Sequence, residues 1–392
     1  MKPKGVEIAV LGAVLLMFAC QSKPAGASAS PAPQDVSVPV EKAEPPVDPV
    51  YNEIASFLAG RPCATSPYKE FQETEEYRAF AAALDKSWAD LETKRLQLMR
   101  DWTGTELADA VAATTTLFYP FGGPDALTAL VLFPKASRYL LLGLEFVGRM
   151  PEFDIGDAAK VSAYFQNLQA SLTDFFNKSY FITKNMNEEL AGDKVDGVLP
   201  LLCFFLKRSG NMISSVKRLE FTEKGEILES AYPGEPKKFR RPYGIRVSFF
   251  ADGTDVLKEM SYISCDLADA AFRKEKPVTV YLSGLPFETT FVKSASYLMH
   301  YKEFSNIRNL ILDRSRFVLE DDTGIPYKDF PPETWESRLY GEYIKPVADF
   351  SGVDQPDLKE AYTDPAKVKS LPFHLGYHWG TNKDSLLYFV KK

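Results

Sequence analysis

The first fifty residues differ from the rest of the chain, and they confine any folded core to the region C-terminal to them. An apolar run from Ile8 to Ala19 comes after the basic residues Lys2 and Lys4. As a helix this run reaches about 18 Å, whereas the hydrocarbon core of a bilayer is about 30 Å thick. A basic start followed by so short an apolar run indicates a cleaved export signal, residues 1–19, rather than a membrane span.

Cys20 directly follows this run and precedes a stretch rich in Pro, Ala and Ser. The arrangement resembles the lipid-attachment signal of bacterial lipoproteins. The resemblance implies that cleavage leaves Cys20 as an acylated first residue. It also implies anchoring at the outer membrane of the cell envelope, because Gln21 rather than Asp follows the cysteine. The alternative is an ordinary secretory signal cut within residues 25–30, which would remove Cys20.

Residues 20–50 are predicted to form a disordered tether. Seven prolines lie between Gln21 and Val50, and no large apolar residue precedes Val36 in this stretch. Such a composition cannot bury enough apolar surface to offset the conformational entropy lost on folding. The tether therefore separates the lipid from a folded body that begins near Tyr51.

Charge restricts the partners of the body. Without residues 1–19 the chain has 44 Lys and Arg against 52 Asp and Glu, a net charge of −8. An acidic chain without a concentrated basic run is unsuited to nucleic acid and to electrostatic attachment to anionic lipids. The membrane is therefore expected as a partner only through the N-terminal lipid.

Three cysteines remain after Cys20. The wide spacing of Cys63, Cys203 and Cys265 excludes a CxxC metal or redox motif. Cys203 lies within an apolar run and is expected to be a buried thiol. Cys63 and Cys265 are able to form a disulfide in an oxidising compartment, and the sequence leaves that question open.

Hydrophobic periodicity predicts an α+β fold. The segment 51–195 is expected to be mainly helical, with one helix over 74–102 and another over 157–177, because apolar residues recur at three- and four-residue steps. The segment 196–392 is expected to form an antiparallel-rich mixed sheet covered by helices. Either the two segments are separate parts or they share one core.

Three later segments are given specific assignments. Alternating and β-branched residues predict a strand over 278–286 and strand-like structure over 373–380. Apolar residues on one face predict a helix over 287–300.

No standard catalytic, nucleotide-binding or metal-binding motif occurs in the chain. No catalytic residue is therefore assigned, and neither a cofactor nor a metal is expected. Four residues are candidates for ligand binding. They are Asp125, which follows a Gly-Gly loop at a predicted helix start, and Arg138, His374 and His378. The two histidines would lie about 13 Å apart on a strand, too far to bind one ion.

The sequence favours a non-catalytic envelope lipoprotein that binds a protein, a glycan or a small molecule. The alternative is an envelope hydrolase whose site is assembled from distant residues. A cluster of Asp125, Arg138, His300, His374 or Asp322 in one cleft would favour the hydrolase. A broad exposed aromatic patch would favour the binding protein.

We expect Cys20→Ala to leave export intact and to release the protein from the membrane fraction, because the signal is removed and the tether is too polar to enter a bilayer. Metabolic labelling with a fatty acid, followed by fractionation of wild type and variant, tests this. An unlabelled wild type, or a variant that stays membrane-bound in high salt and carbonate, would contradict the lipid anchor.

Overall fold

The structure is a computed structural model that describes residues 45–181, 188, 190, 194–232, 243–378 and 383–392. The predicted signal, Cys20 and most of the predicted tether lie outside the described residues. Helix α1 (Pro49–Leu58) begins within the stretch predicted as tether, because the side chain of Asp48 caps it by accepting hydrogen bonds from the amides of Val50 and Tyr51.

Eleven further α-helices occur in the part of the chain that the structure describes. They are α2 (Tyr68–Phe71), α3 (Glu75–Leu91), α4 (Gln97–Glu106), α5 (Ala108–Ala113), α6 (Ala126–Leu132), α7 (Ala158–Lys178), α8 (Leu199–Arg208), α9 (Asp269–Lys274), α10 (Lys276–Gly284), α11 (Ser305–Arg314) and α12 (Pro356–Ala361).

The long helix predicted over 74–102 is confirmed. The hydroxyl of Thr74 caps α3 by accepting a hydrogen bond from the amide of Tyr77, and one turn of π-helix, Glu92–Leu96, joins α3 to α4. The apolar stripe of α3 is buried at Tyr77 and Leu84. The periodicity therefore identified both the helix and its inward face.

The strands within the described ranges form one mixed sheet. They are β1 (Thr116–Tyr119), β2 (Arg138–Gly143), β3 (Asn211–Phe221), β4 (Ile227–Ala231), β5 (Tyr243–Ala251), β6 (Lys258–Ser264), β7 (Thr289–Val292), β8 (Phe317–Glu320), β9 (Trp335–Gly341), β10 (Val368–Lys369) and β11 (Ser385–Lys391). Their order across the sheet is β10-β9-β11-β8-β7-β1-β2-β6-β5-β3-β4. The predicted α+β class with a mixed sheet is confirmed.

The centre of the sheet is parallel. Strands β6, β2, β1, β7 and β8 pair in parallel, whereas antiparallel pairs lie on the flanks: β11 pairs with β8 and β9, and β5 pairs with β3 and β6. The short central strands β1, β7 and β8 are buried along their whole length. This burial is expected because helices cover both faces of a parallel sheet.

Two hydrophobic clusters lie on opposite faces of the sheet. Leu117 and Tyr119 of β1 belong to one cluster and Phe118 to the other, as the alternation of side chains along a strand requires. The first cluster also contains Phe57 of α1 and Tyr388 of β11, so segments from both halves of the chain contribute to it.

Three local predictions are wrong. Residues 276–284 form helix α10 rather than a strand, with a proline in its first turn and Val278 and Leu282 buried one turn apart. Residues 289–292 form strand β7 rather than a helix, because a fully buried parallel strand has no alternation to distinguish it from a buried helix. The described residues 371–378 form a loop.

Cys203 is a buried free thiol, as predicted, and Cys63 is also a buried free thiol. The disulfide between Cys63 and Cys265 therefore does not form in this structure.

We expect Asn52→Ala to lower the free energy of unfolding by about 2 kcal/mol. The buried Asn52 side chain joins α1 to β3, since its Oδ1 accepts from the amide of Ile213 at 3.0 Å and its Nδ2 donates to the carbonyl of Asp48 at 2.9 Å. The variant leaves the Ile213 amide without this partner. Chemical denaturation measures the loss, with the exposed Asn309→Ala as control. Equal stability of the two variants would contradict this role for Asn52.

Candidate functional site

The carboxyl ends of four adjacent parallel strands, β6, β2, β1 and β7, surround a cavity. It is lined by the loops after these strands and by the rings of Tyr180 and Tyr377, and its empty space measures about 830 Å³ when the open mouth is included. Chain order reverses here, because β2 and β6 lie on one side of β1 whereas β7 and β8 lie on the other. Loops diverge at such a reversal, and the crevice between them is where ligands bind in open α/β sheets. We call it the switch-point cavity.

The loop after β1 brings its backbone close to this cavity. Gly122 packs against the ring of Tyr119, so that a Cβ at this position would lie 2.8 Å from ring carbons. Gly123 has a positive φ of 52°, and its amide donates to the carbonyl of Leu142 on β2 at 3.2 Å. Both glycines are therefore required by geometry, one by a close approach and the other by its backbone conformation.

Asp125 ends this loop and forms a buried ion pair with Lys293, the first residue after β7. The Nζ of Lys293 lies 2.5 Å from Asp125 Oδ2, and the two side chains are only 2% and 3% exposed. Asp125 also accepts from the hydroxyl of Tyr119 at 2.9 Å and, as N-cap of α6, from the amide of Thr128 at 3.0 Å. Lys293 donates in addition to the carbonyl of Ser179.

Burial perturbs the groups of this network. It lowers the pKa of Lys293, although the adjacent Asp125 carboxylate opposes that shift. Burial, reinforced by Asp125, raises the pKa of Tyr119 well above its ordinary value. The phenol is therefore a neutral donor.

Two more carboxylates face the cavity from the ends of β2 and β6. Glu145 is buried, and the hydroxyl of Tyr262 donates to its backbone carbonyl at 2.8 Å and lies 3.4 Å from Oε2. A Cβ on Gly143 would lie 2.5 Å from Glu145 Oε2, so the absence of a side chain at Gly143 leaves room for the carboxylate. Asp266 follows β6, is half-buried and accepts from the amide of Ala268 at 2.9 Å.

Strained backbone is concentrated at the cavity. Among the described non-glycine residues with positive φ, Phe121 (61°), Ser294 (53°) and Ser296 (53°) line the cavity, and Tyr297 (54°) follows directly. Each such conformation costs about 1–3 kcal/mol and persists only where the surrounding structure enforces it. Strain of this kind is typical of ligand-binding and catalytic sites.

Ser294 lines the cavity and is held in place by hydrogen bonds of its backbone. Its amide donates to Asp321 Oδ2 at 2.8 Å, and its carbonyl accepts from the hydroxyl of Tyr377 at 2.8 Å. The buried Oγ of Ser294 has no hydrogen-bond partner among the residues that the structure describes. A buried hydroxyl without a partner is costly unless a ligand or water satisfies it.

Three consecutive buried carboxyl groups lie behind Ser294. Burial, together with the charge of Asp322, raises the pKa of Asp321 to about 7. Burial likewise raises the pKa of Glu320 well above its ordinary value, although the amide of Ile325 donates to this group. Burial therefore favours the protonated, neutral form of Glu320.

Asp322 joins this wall to the segment that contains the two C-terminal histidines. It accepts from the hydroxyls of Tyr297 and Ser385, and the Nε2 of His378 lies 3.5 Å from its Oδ2. Burial lowers the pKa of His378, but contact with Asp322 outweighs this effect and raises it overall. His374 Nδ1 lies 2.5 Å from Asp384 Oδ2.

The structure separates the four residues proposed from sequence. Asp125 lines the cavity, and His378 adjoins it, next to the lining residue Tyr377. Arg138 begins β2, so it lies at the opposite edge of the parallel strands from Asp125. His374 pairs with Asp384 and is exposed, outside the cavity lining.

Sequence reasoning missed Glu145, Asp266, Lys293 and Ser294. Each follows the end of a central strand within two residues. A search for polar residues directly after buried strands would have found Glu145 and Asp266. It would have missed Lys293 and Ser294, because the segment around them was taken for a helix.

Within the described residues there is no cluster of three or more His, Cys, Asp or Glu suited to a metal, and no helix long and apolar enough to cross a membrane. In comparisons with known proteins, the chain matches no family model, no curated protein and no solved structure.

We expect the unfolding free energy to contain a component from Asp321 that decreases as the pH rises from about 4 to about 7. The folded-state pKa is about 7, whereas the ordinary value is 3.8, so the folded state retains a proton that the unfolded state has released. The component is present in full below pH 4 and is lost as the pH approaches 7. Asp321→Asn should remove it and change the slope by up to about 1.4 kcal/mol per pH unit.

Chemical denaturation across this pH range measures the difference between wild type and variant. The exposed Asp349→Asn serves as control and should follow wild type. Parallel pH profiles for wild type and Asp321→Asn would contradict the raised pKa.

Proposed function

We propose that the protein is an envelope-anchored lipoprotein that binds a small organic molecule in the switch-point cavity. The observation that supports this most strongly is the coincidence of three features at one place. A cavity opens at the reversal of strand order, the non-glycine residues Phe121, Ser294 and Ser296 are strained at its wall, and buried charged groups line it. Each feature is typical of a binding site.

The lining combines apolar walls with a few polar groups. Phe121, Leu267, Leu298 and Phe304 supply apolar surface, and the carboxylates and hydroxyls described above supply directed hydrogen-bond acceptors and donors. This is the composition expected of a small-molecule site, in which apolar contact gives affinity and polar groups fix orientation.

A protein partner is less well supported than a small molecule. Large apolar residues exposed in the described segments lie scattered along the chain, and Tyr301 is the aromatic residue among them. Interfaces with proteins usually present a contiguous apolar or aromatic patch. A hydrolase is also less well supported, because the described lining contains no histidine to serve as a base.

Blocking the mouth of the cavity should abolish ligand binding. Leu144 lies in the lining but is 49% exposed, so Leu144→Trp fills the mouth without disturbing the core. Leu228→Trp is the matched control, since Leu228 is 57% exposed on β4 and does not line the cavity. Thermal-shift screening of nucleosides, sugars, amino acids and amines against the mature protein in detergent provides the measurement.

We expect at least one class of compound to raise the Tm of wild type and of Leu228→Trp, and not that of Leu144→Trp. Two results would count against the proposal: no stabilisation by any class, or stabilisation that Leu144→Trp retains.

A further inference from the structure

We propose that the switch-point cavity binds a quaternary ammonium group, such as the trimethylammonium group of choline, within a cage of aromatic rings. This inference rests on the proposed function and narrows its ligand class. It is drawn from the rings in the lining, from the angles at which they meet, from the strained backbone that carries one of them and from a carboxylate in the same lining.

Aromatic side chains from four separate segments of the chain line the cavity. They are Phe121 after β1, Tyr180 after α7, Phe304 directly before α11 and Tyr377 in the loop formed by residues 371–378. Each is half-buried, so that part of its surface packs against the protein and part remains accessible. Rings that come from separate segments are able to enclose a group from several sides, which a single pair of neighbouring rings cannot do.

The rings meet at steep angles rather than lying parallel. Tyr180 and Tyr377 are almost perpendicular, with an interplanar angle of 88° and ring centroids 4.7 Å apart. Phe121 and Phe304 meet at 60°, and their centroids are 6.2 Å apart. A flat ligand is best held between parallel rings, whereas rings at steep angles form the walls of a box around a compact, rounded group. A quaternary ammonium group has this shape.

The ring of Phe121 is present at an unfavourable backbone position. Its φ is 61°, and two glycines follow it directly at positions 122 and 123. Glycine adopts such a conformation without strain, whereas a phenylalanine does not. A phenylalanine at a position that favours glycine therefore indicates that its side chain is needed. Because Phe121 lines the cavity, contact of its ring with a ligand accounts for this need.

Hydrogen bonds hold the ring of Tyr377 in place. Its hydroxyl donates to the carbonyl of Ser294 at 2.8 Å and lies 2.8 Å from the Oγ of Ser296. Burial raises the pKa of Tyr377 to about 12, so the phenol stays neutral and these hydrogen bonds persist at physiological pH. A wall that is ordered before the ligand binds loses little side-chain entropy on binding.

The rings and a carboxylate together favour a positive charge. The face of an aromatic ring carries partial negative charge, so it attracts a quaternary ammonium group, which has no hydrogen to donate in a hydrogen bond. Asp266, after β6, is half-buried in the same lining, and its Oδ1 accepts from the amide of Ala268 at 2.9 Å, which orients the carboxylate. A neutral group of the same shape would gain apolar contact alone.

Calorimetric titration of the mature protein, in a maltoside detergent that contains no ammonium group, tests this with ligands that differ in one property at a time. Choline is compared with 3,3-dimethyl-1-butanol, which has its shape without its charge, and with ethanolamine, which has its charge without the methyl groups. We expect choline to bind about tenfold more tightly than either compound, because choline alone combines positive charge with an apolar, rounded surface.

Glycerophosphocholine identifies the source of the group. If it binds as tightly as choline, the cavity accepts the headgroup of a lipid. If it binds much more weakly, the cavity accepts a free solute. Either result, together with binding of choline, supports the quaternary ammonium group.

Variants assign the contacts. Phe304→Leu should weaken choline about fivefold and Phe304→Tyr should not, since the ring rather than the volume is required. Asp266→Asn should weaken choline and leave 3,3-dimethyl-1-butanol unchanged. Tyr301→Leu is the control and should bind as wild type does, because Tyr301 is 47% exposed and lies outside the lining, three residues from Phe304. Thermal unfolding without ligand verifies that each variant is folded, and the comparison of ligands on wild type depends on no variant.

The two proposals fail in different ways. If other compounds bind and Leu144→Trp abolishes their binding, while choline does not bind, then this inference is overturned and the proposed function stands. The inference is equally overturned if 3,3-dimethyl-1-butanol or ethanolamine binds as tightly as choline, or if a folded Phe304→Leu variant retains full affinity for choline. If no compound binds, the proposed function itself fails.

Discussion

The buried ion pair between Lys293 and Asp125 is the interaction on which the site depends. The pair and its hydrogen bonds connect four parts of the chain. These are the end of β7, the N-terminus of α6, the ring of Tyr119 on β1 and the backbone at Ser179, directly after α7. Breaking a buried pair by removing one partner costs about 3–5 kcal/mol, because the other charge is left without compensation. The pair therefore joins the loop after β1 to the end of β7 at the wall of the switch-point cavity.

Around this ion pair several residues have unfavourable backbone conformations or buried carboxyl groups. Ser294 and Ser296 adopt left-handed backbone conformations, and Asp321 is buried with a pKa of about 7. These features lower stability, yet each positions a group at the cavity wall: Asp321 holds the amide of Ser294, and the carbonyl of Ser294 holds Tyr377. Selection for stability alone would not be expected to place these unfavourable features together at one edge of the sheet.

The sequence predicted what depends on local periodicity. It identified the α+β class, the helix capped by Thr74 and the burial of Cys203, because apolar spacing determines them. The assignment of helices and strands from the sequence was wrong at residues 276–300, because short buried helices and strands have no hydrophobic period that distinguishes them. It placed Asp125 correctly before a helix but could not pair it with Lys293, 168 residues away. Which strands become neighbours in a parallel sheet is decided by packing across the whole chain, and the site depends on that adjacency.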